Sequence, residues 1–294
     1  MTIPVSRFSD LSDFFLASSR PEISAIELDL TNCSFIDPRT LTCLAQLIIK
    51  CKREGKTLTI LPSRFHAVDD YVKSIGLQNF IRNNWEQPNE FLPAERNSAL
   101  GLWSVSQEHK EYFTREFRDY FDSLDGSKDF TAVQTYFHEL ISNVYDHAES
   151  PTGAYTFGQF YPHRQNPSKR NLVLVVADLG IGISLKVNQF LSDNQQPLLN
   201  PSEAVLTAFK PRFSTESQPN NRGAGLDTIK SLVASLRGTL SVYTTGAVVE
   251  FGPINPEGVQ HHPIQHLYGT TIVVDIPVAN LNVRESISNP FSFT

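Results

Sequence analysis

Residues 172–177 read Leu-Val-Leu-Val-Val-Ala, an unbroken apolar run that leads straight into Asp178-Leu179-Gly180-Ile181-Gly182. Successive side chains of a strand point to opposite faces, so a half-exposed strand alternates apolar with polar residues. This run does not alternate, and it predicts a strand buried on both faces. Any fold of the chain has to be built around that strand. A carboxylate at its end, facing a pocket, can accept a hydrogen bond from an exocyclic amine. The two glycines let backbone approach a flat ring with no side chain between.

Composition narrows the class. The 294 residues suffice for one large or two ordinary domains. A hydrophobic share of 40% beside a charged share of 19% is that of a globular chain. The net charge of -6, with no strongly basic stretch, argues against a nucleic-acid partner. Phosphate ligands stay open, because backbone amides can bind them. No apolar run approaches the ~20 residues of a membrane span, and the first residues lack the basic start and apolar core of a signal peptide. Cys33, Cys43 and Cys51 form no Cys-x-x-Cys pair, so ordinary buried thiols in a cytoplasmic protein are expected.

Residues 1–85 read as strand, helix, strand, helix. Ile26, Leu28 and Leu30 alternate with Glu27 and Asp29. Asp37 suits an N-cap and Pro38 the first helical position; Leu41, Leu44, Ala45 and Ile48 then form one stripe, and Gly55 stops the helix. Residues 57–61 predict a second strand, followed by a short helix around 68–75 that ends at Gly76. Residues 86–105, with prolines, asparagines and no sustained period, predict a linker. A helix from near Ser106 then carries Phe113, Phe117, Tyr120, Phe121 and Leu124 on one side, which marks core packing.

The next helix spans residues 131–148, with Val133, Phe137, Leu140, Ile141, Val144 and Ala148 as its buried stripe. Glu139, Asn143 and His147 align on another face, at i, i+4 and i+8. Taken alone they can be a solvated face, and His138 beside Glu139 raises a third option, a phosphoacceptor histidine. Further on, Arg222-Gly223-Ala224-Gly225-Leu226 opens a helix. A glycine turn there presents free N–H groups and a positive dipole end, which suit phosphates. Between the glycine turns, Asn200-Pro201-Ser202-Glu203 predicts a capped helix start, and Lys210, Arg212 and Arg222 are candidate phosphate cations. Residues 268–278 form an apolar strand entered through Gly269-Thr270-Thr271.

Over residues 22–82, the turn SFIDPRTL and the closing VDDYVKSIGLQNFI resemble the STAS domain of anti-sigma-factor antagonists. Pro38 and Arg39 stand where that family places its phosphorylated serine, and Thr40 is the only nearby hydroxyl. A docking or packing module is therefore expected rather than a phosphorylation switch. Over residues 106–278, the asparagine helix, Asp-x-Gly-x-Gly, the second glycine turn and the threonine strand resemble the GHKL superfamily. That superfamily carries the Bergerat ATP-binding fold of gyrase B, MutL, histidine kinases and anti-sigma-factor kinases.

The resemblances imply an α/β chain with a STAS-like α/β module at 1–85, a linker at 86–105 and a two-layer α/β sandwich of the Bergerat fold at 106–294. They imply that ATP and Mg2+ are bound. Glu139 matches the general base and Asn143 the magnesium ligand. Asp178 matches the adenine-reading carboxylate, with Gly180 and Gly182 shaping its wall and Thr270 completing the pocket. Gly223, Gly225 and Leu226 match the phosphate turn, and His147 is left as a supporting or a packing residue. His138 does not match a sensor-kinase phosphoacceptor: the proline of that motif is absent, and one segment would have to serve as both histidine and asparagine boxes.

The function so implied is a magnesium-dependent ATP-binding regulator of the anti-sigma-factor or histidine-kinase-like type. It would switch partner binding with nucleotide state and pass phosphate to a protein hydroxyl, as an ATPase or a serine/threonine protein kinase. The alternatives are a slow ATPase that opens and closes a homodimer, and a non-catalytic nucleotide-binding interaction protein. The implied partners are ATP or ADP and a STAS or sigma-factor-like regulator, with no nucleic acid and no membrane.

Overall fold

The computed structural model describes residues 1–6, 10–77, 98–163, 165–211, 213, 215 and 225–284. Strand β1 (Thr2–Pro4) leads through α1 (Leu11–Ser19) to β2 (Ala25–Asp29), α2 (Pro38–Arg53), β3 (Thr57–Leu61) and α3 (His66–Ser74). The three strands form a parallel sheet in the order β1-β2-β3. Asp37 caps α2 by accepting from the Thr40 N–H, and Pro38 takes the first turn, as the sequence predicts. Thr40 is buried, with its hydroxyl 3.1 Å from the Asp37 carboxylate.

The expected linker is corrected at its end. Residues 86–97 lie outside the described residues, but β4 (Ala99–Val105) is an edge strand of the large sheet, paired antiparallel with β5 (Ala154–Tyr161). The prolines and asparagines ahead of it obscured a short apolar run that gains burial by joining the sheet. Helices α4 (Lys110–Leu124) and α5 (Thr131–His147) lie between β4 and β5 in the chain. There follow β6 (Asn171–Asp178), α6 (Ile183–Asp193), α7 (Pro201–Ala208), α8 (Gly225–Ser235), β7 (Thr239–Thr244), β8 (Ala247–Phe251), β9 (Val259–His261) and β10 (Thr270–Pro277). Among the described residues the large sheet has seven strands in the order β4-β5-β6-β10-β7-β8-β9, all pairs antiparallel.

Both faces of this sheet are covered. Phe117, Phe121, Phe137, Ile141, Ile229 and Val233 from α4, α5 and α8 pack with Leu172, Leu174 and Val176 of β6. On the other face Leu44, Leu47 and Ile48 of α2 share a core with Tyr155 and Phe157 of β5 and Val175 and Ala177 of β6. Strand β6 is thus buried on both sides, as its unbroken apolar run predicts. The expected two-layer sandwich carries a third layer, formed by α2 and the small parallel sheet.

Polar ties cross the same boundary. Arg39 Nη1 donates to the Tyr243 hydroxyl at 2.5 Å, Gln46 Nε2 to the Asp178 carbonyl at 2.7 Å, and the Tyr71 hydroxyl to Gln159 Oε1 at 2.8 Å. Each such bond is worth about 0.5–1.5 kcal/mol net, whereas each fully buried aromatic or aliphatic side chain contributes roughly 1.5–3 kcal/mol. The apolar contact therefore holds the layers together, and the hydrogen bonds fix their register. All three cysteines are buried free thiols, and burial pushes Cys43 up to about 12, which leaves it unreactive. Among the described residues no helix is long and apolar enough to cross a membrane.

Candidate functional site

The ends of β6 and β10, one face of α5 and the start of α8 enclose a pocket. Helix α5 turns Phe137 and Ile141 into the core, which leaves Glu139, Asn143 and His147 along the pocket wall. Asp178, Gly182, Gly225, Leu226 and Thr270 also line it, so eight residues singled out from four separate segments converge on one cavity.

At one end stands Asp178, 4% exposed, at the terminus of β6. Its carboxylate accepts the Gly180 N–H at 2.7 Å and the Thr270 N–H. Burial nevertheless dominates and pushes its pKa up to about 7, against the pull of those two amides. Thr270 pairs directly across from Asp178 in the β6–β10 register, and its hydroxyl accepts the Ile183 N–H at 3.3 Å. Gly180 does not line the cavity; it lies behind the wall, where a Cβ would come within 1.9 Å of the Ala148 carbonyl oxygen. That same oxygen accepts the Ile181 N–H at 2.9 Å, so the loop after β6 is pinned to the end of α5. Only glycine permits this approach.

The opposite end holds Glu139 and Asn143, one helical turn apart. Gly225, at the first turn of α8, sits so close that a Cβ there would be 2.7 Å from Glu139 Oε1 and 3.3 Å from the Asn143 amide. Asn143 Nδ2 is buried with no hydrogen-bond partner among the described residues. A buried amide left unpaired costs about 1–3 kcal/mol, and such an atom suits a site completed by ligand. Gly225 and Leu226, the first residues of α8, line this end, and a helix start is the kind of element that receives an anion. His147 Nδ1 lies 3.5 Å from the Thr215 hydroxyl. Gly223, Arg212 and Arg222 fall outside the described residues, and Lys210 is exposed away from the lining.

His138 is not part of the lining. Burial, and then the neighbouring Lys110 charge, lower its pKa. Two polar residues were not anticipated. Thr244, wholly buried at the end of β7, accepts the Ile183 N–H at 3.1 Å and donates to the Gly269 carbonyl at 2.9 Å. Nothing in its local sequence distinguishes it. Lys186 lines the mouth and pairs with Glu149 at 2.7 Å. Its place one turn beyond Gly182 was a usable signal, since i and i+4 share a helix face.

No curated protein matches the chain, and no solved structure does. The family model described as "Histidine kinase-, DNA gyrase B-, and HSP90-like ATPase" matches residues 128–280, from just ahead of α5 to just past β10. That stretch is more than half of the chain and holds every pocket residue named above, and the protein belongs to the histidine kinase-, DNA gyrase B- and HSP90-like ATPase family.

Proposed function

We propose that the protein is a magnesium-dependent ATP-binding regulator of the anti-sigma-factor and histidine-kinase-like kind. Its nucleotide state would set the binding of a protein partner, and its γ-phosphate would go to water or to a protein hydroxyl. The observation that carries this reading is the convergence of Glu139, Asn143, Asp178, Gly225 and Thr270 on one cavity. In it Asp178 accepts from the adenine amine, Thr270 closes the base end, and the start of α8 receives the phosphates. The residues also fit a magnesium ion: Glu139 and Asn143 bring a carboxylate and a carboxamide oxygen to this end of the cavity, and the Gly225 backbone leaves room that a side chain would fill. Asn143 would hold the ion, which when bound neutralises charge on the phosphates. Glu139 then takes the proton of the attacking hydroxyl or water. The STAS-like layer built on α2 is the surface assigned to the protein partner. Thr40 is buried and bonded to Asp37, which supports docking rather than phosphorylation there.

The test is calorimetric titration of the chain with ATP, ADP and GTP, with and without magnesium, followed by tracing of labelled γ-phosphate. Magnesium-dependent binding of ATP and ADP, with GTP much weaker, is the expected result. Equal affinity for ATP and GTP, or no nucleotide binding, overturns the reading. Label on a partner's hydroxyl distinguishes a kinase from an ATPase.

A further inference from the structure

Helix α2 reaches the pocket from behind. Gln46 is 0% exposed, and its Nε2–H donates to the main-chain carbonyl of Asp178 at 2.7 Å. Nearly one turn earlier, Cys43 Sγ lies 3.4 Å from the hydroxyl of Thr271. These contacts land on the ends of β6 and β10, the two strands that present Asp178 and Thr270 to the cavity. Side chains alternate along a strand, so Thr271 points back at α2 while Thr270 points forward.

A glutamine is a poor choice for packing alone in this position. Its Oε1 is buried and has no hydrogen-bond partner among the described residues, which is destabilising, and an apolar residue of similar shape would avoid the loss. What the amide supplies is its other half, the donor to Asp178. The Asp178 peptide is then held on every side. Its carboxylate is fixed by the Gly180 and Thr270 amides, and its carbonyl is wedged between Gln46 and Gly269, where a Cβ would lie 2.0 Å from the oxygen. A peptide free to rotate there would swing the carboxylate out of line with a base edge, and recognition tolerates only about 0.5 Å of such error.

We propose that Gln46 is a positioning residue for base recognition: through the Asp178 carbonyl it aims the Asp178 carboxylate, so the third layer takes part in selecting the nucleotide. The inference rests on the proposed role of Asp178 as the base-reading group. Arg39–Tyr243 and Tyr71–Gln159 tie the same layers without touching Asp178, and they separate aiming from simple tethering.

The experiment is titration of the full chain with ATP and with inosine triphosphate, which carries an oxo group in place of the adenine amine. Wild type, Gln46→Met and Tyr71→Phe are compared. Gln46→Met is expected to lower the preference for ATP over inosine triphosphate by about threefold to tenfold, the worth of one hydrogen bond, with affinity for inosine triphosphate unchanged. Tyr71→Phe keeps the wild-type preference. If Gln46→Met does not fold, Gln46→Asn, which keeps an amide but loses reach, reads the same ratio. An unchanged ratio, or an equal loss for both nucleotides, overturns the proposal and leaves Gln46 a tether. A wild type without preference for ATP overturns the role of Asp178 as well, and that result appears before any substitution is made.

Discussion

The two ends of the pocket are built from different materials. At one end Asp178 and Thr270, 4% and 5% exposed, stand on strand ends inside a sheet that is covered on both faces. At the other end Glu139 and Asn143, both half-buried, project from α5 toward a glycine at the start of α8. Strand ends fixed by neighbours on both sides are in place before a ligand arrives. The helix face is incomplete by itself, because Asn143 Nδ2 has no hydrogen-bond partner among the described residues. Such a division assigns selection to the rigid end and chemistry to the end that a ligand completes.

The largest effect that would break this division lies at the incomplete end. Glu139→Gln keeps the shape and removes the basic carboxylate, so turnover of ATP should fall by about 10²–10⁴-fold while calorimetric affinity holds. A parallel fall in both would mean that the two ends are not separable. Asp178→Asn should do the reverse. ATP binding weakens by roughly 1–3 kcal/mol, and phosphate release at saturating ATP stays near wild type.

The Asp178 titration sharpens the same contrast. Its folded pKa of about 7 lies above the ordinary 3.8, so the ligand-free fold holds that proton more tightly than the unfolded chain does. Its contribution to stability is therefore greatest below pH 3.8, falls as pH rises toward 7, and is flat above. Nucleotide binding runs the other way, because the adenine amine donates to the ionised carboxylate. Affinity for ATP should rise by up to about tenfold between pH ~6 and pH ~8, and Asp178→Asn should remove the part of that slope due to this group. The smallest effect belongs to His138→Ala, which leaves turnover within about twofold, since His138 is not among the residues that line the cavity. Abolished phosphate transfer in that variant, with Glu139→Gln still active, would reverse the assignment.

How much of this was legible in the sequence follows from the range of each interaction. Local signals were read correctly: the capping box at Asn200 and Glu203, the Asp37 cap, and the two-sided burial of β6 all appear as expected. Asp178, Gly182 and Gly225 are legible because each sits at the end of an element with its own period, and Glu139 and Asn143 because they align on one face of α5. What escaped depends on contacts distant in sequence. The stripe of Leu41, Leu44, Ala45 and Ile48 predicts one buried face for α2, yet Thr42, Gln46, Leu47 and Ile49 are buried too, because the helix lies between two sheets. A buried glutamine has no sequence pattern, and neither has Thr244. Strand β4 was missed for a related reason, since an edge strand needs only one partner and little periodicity to pair.

The layer formed by α2 bears on what counts as a unit in this molecule. Similarity picks out residues 128–280. Outside that stretch lie β4, which closes one edge of the sheet, α4, whose Phe113 and Phe117 pack toward Phe137 and whose Phe121 packs toward Phe130, and α2, which covers Tyr155, Phe157 and Val175. A fragment trimmed to the recognisable stretch would keep α5 and α8 over one face of its sheet, but it would bare the face that α2 covers and lose the α4 aromatics from the other. The segment that carries the family's inheritance is smaller than the segment that can keep itself dry, and the difference between them is most of residues 1–127.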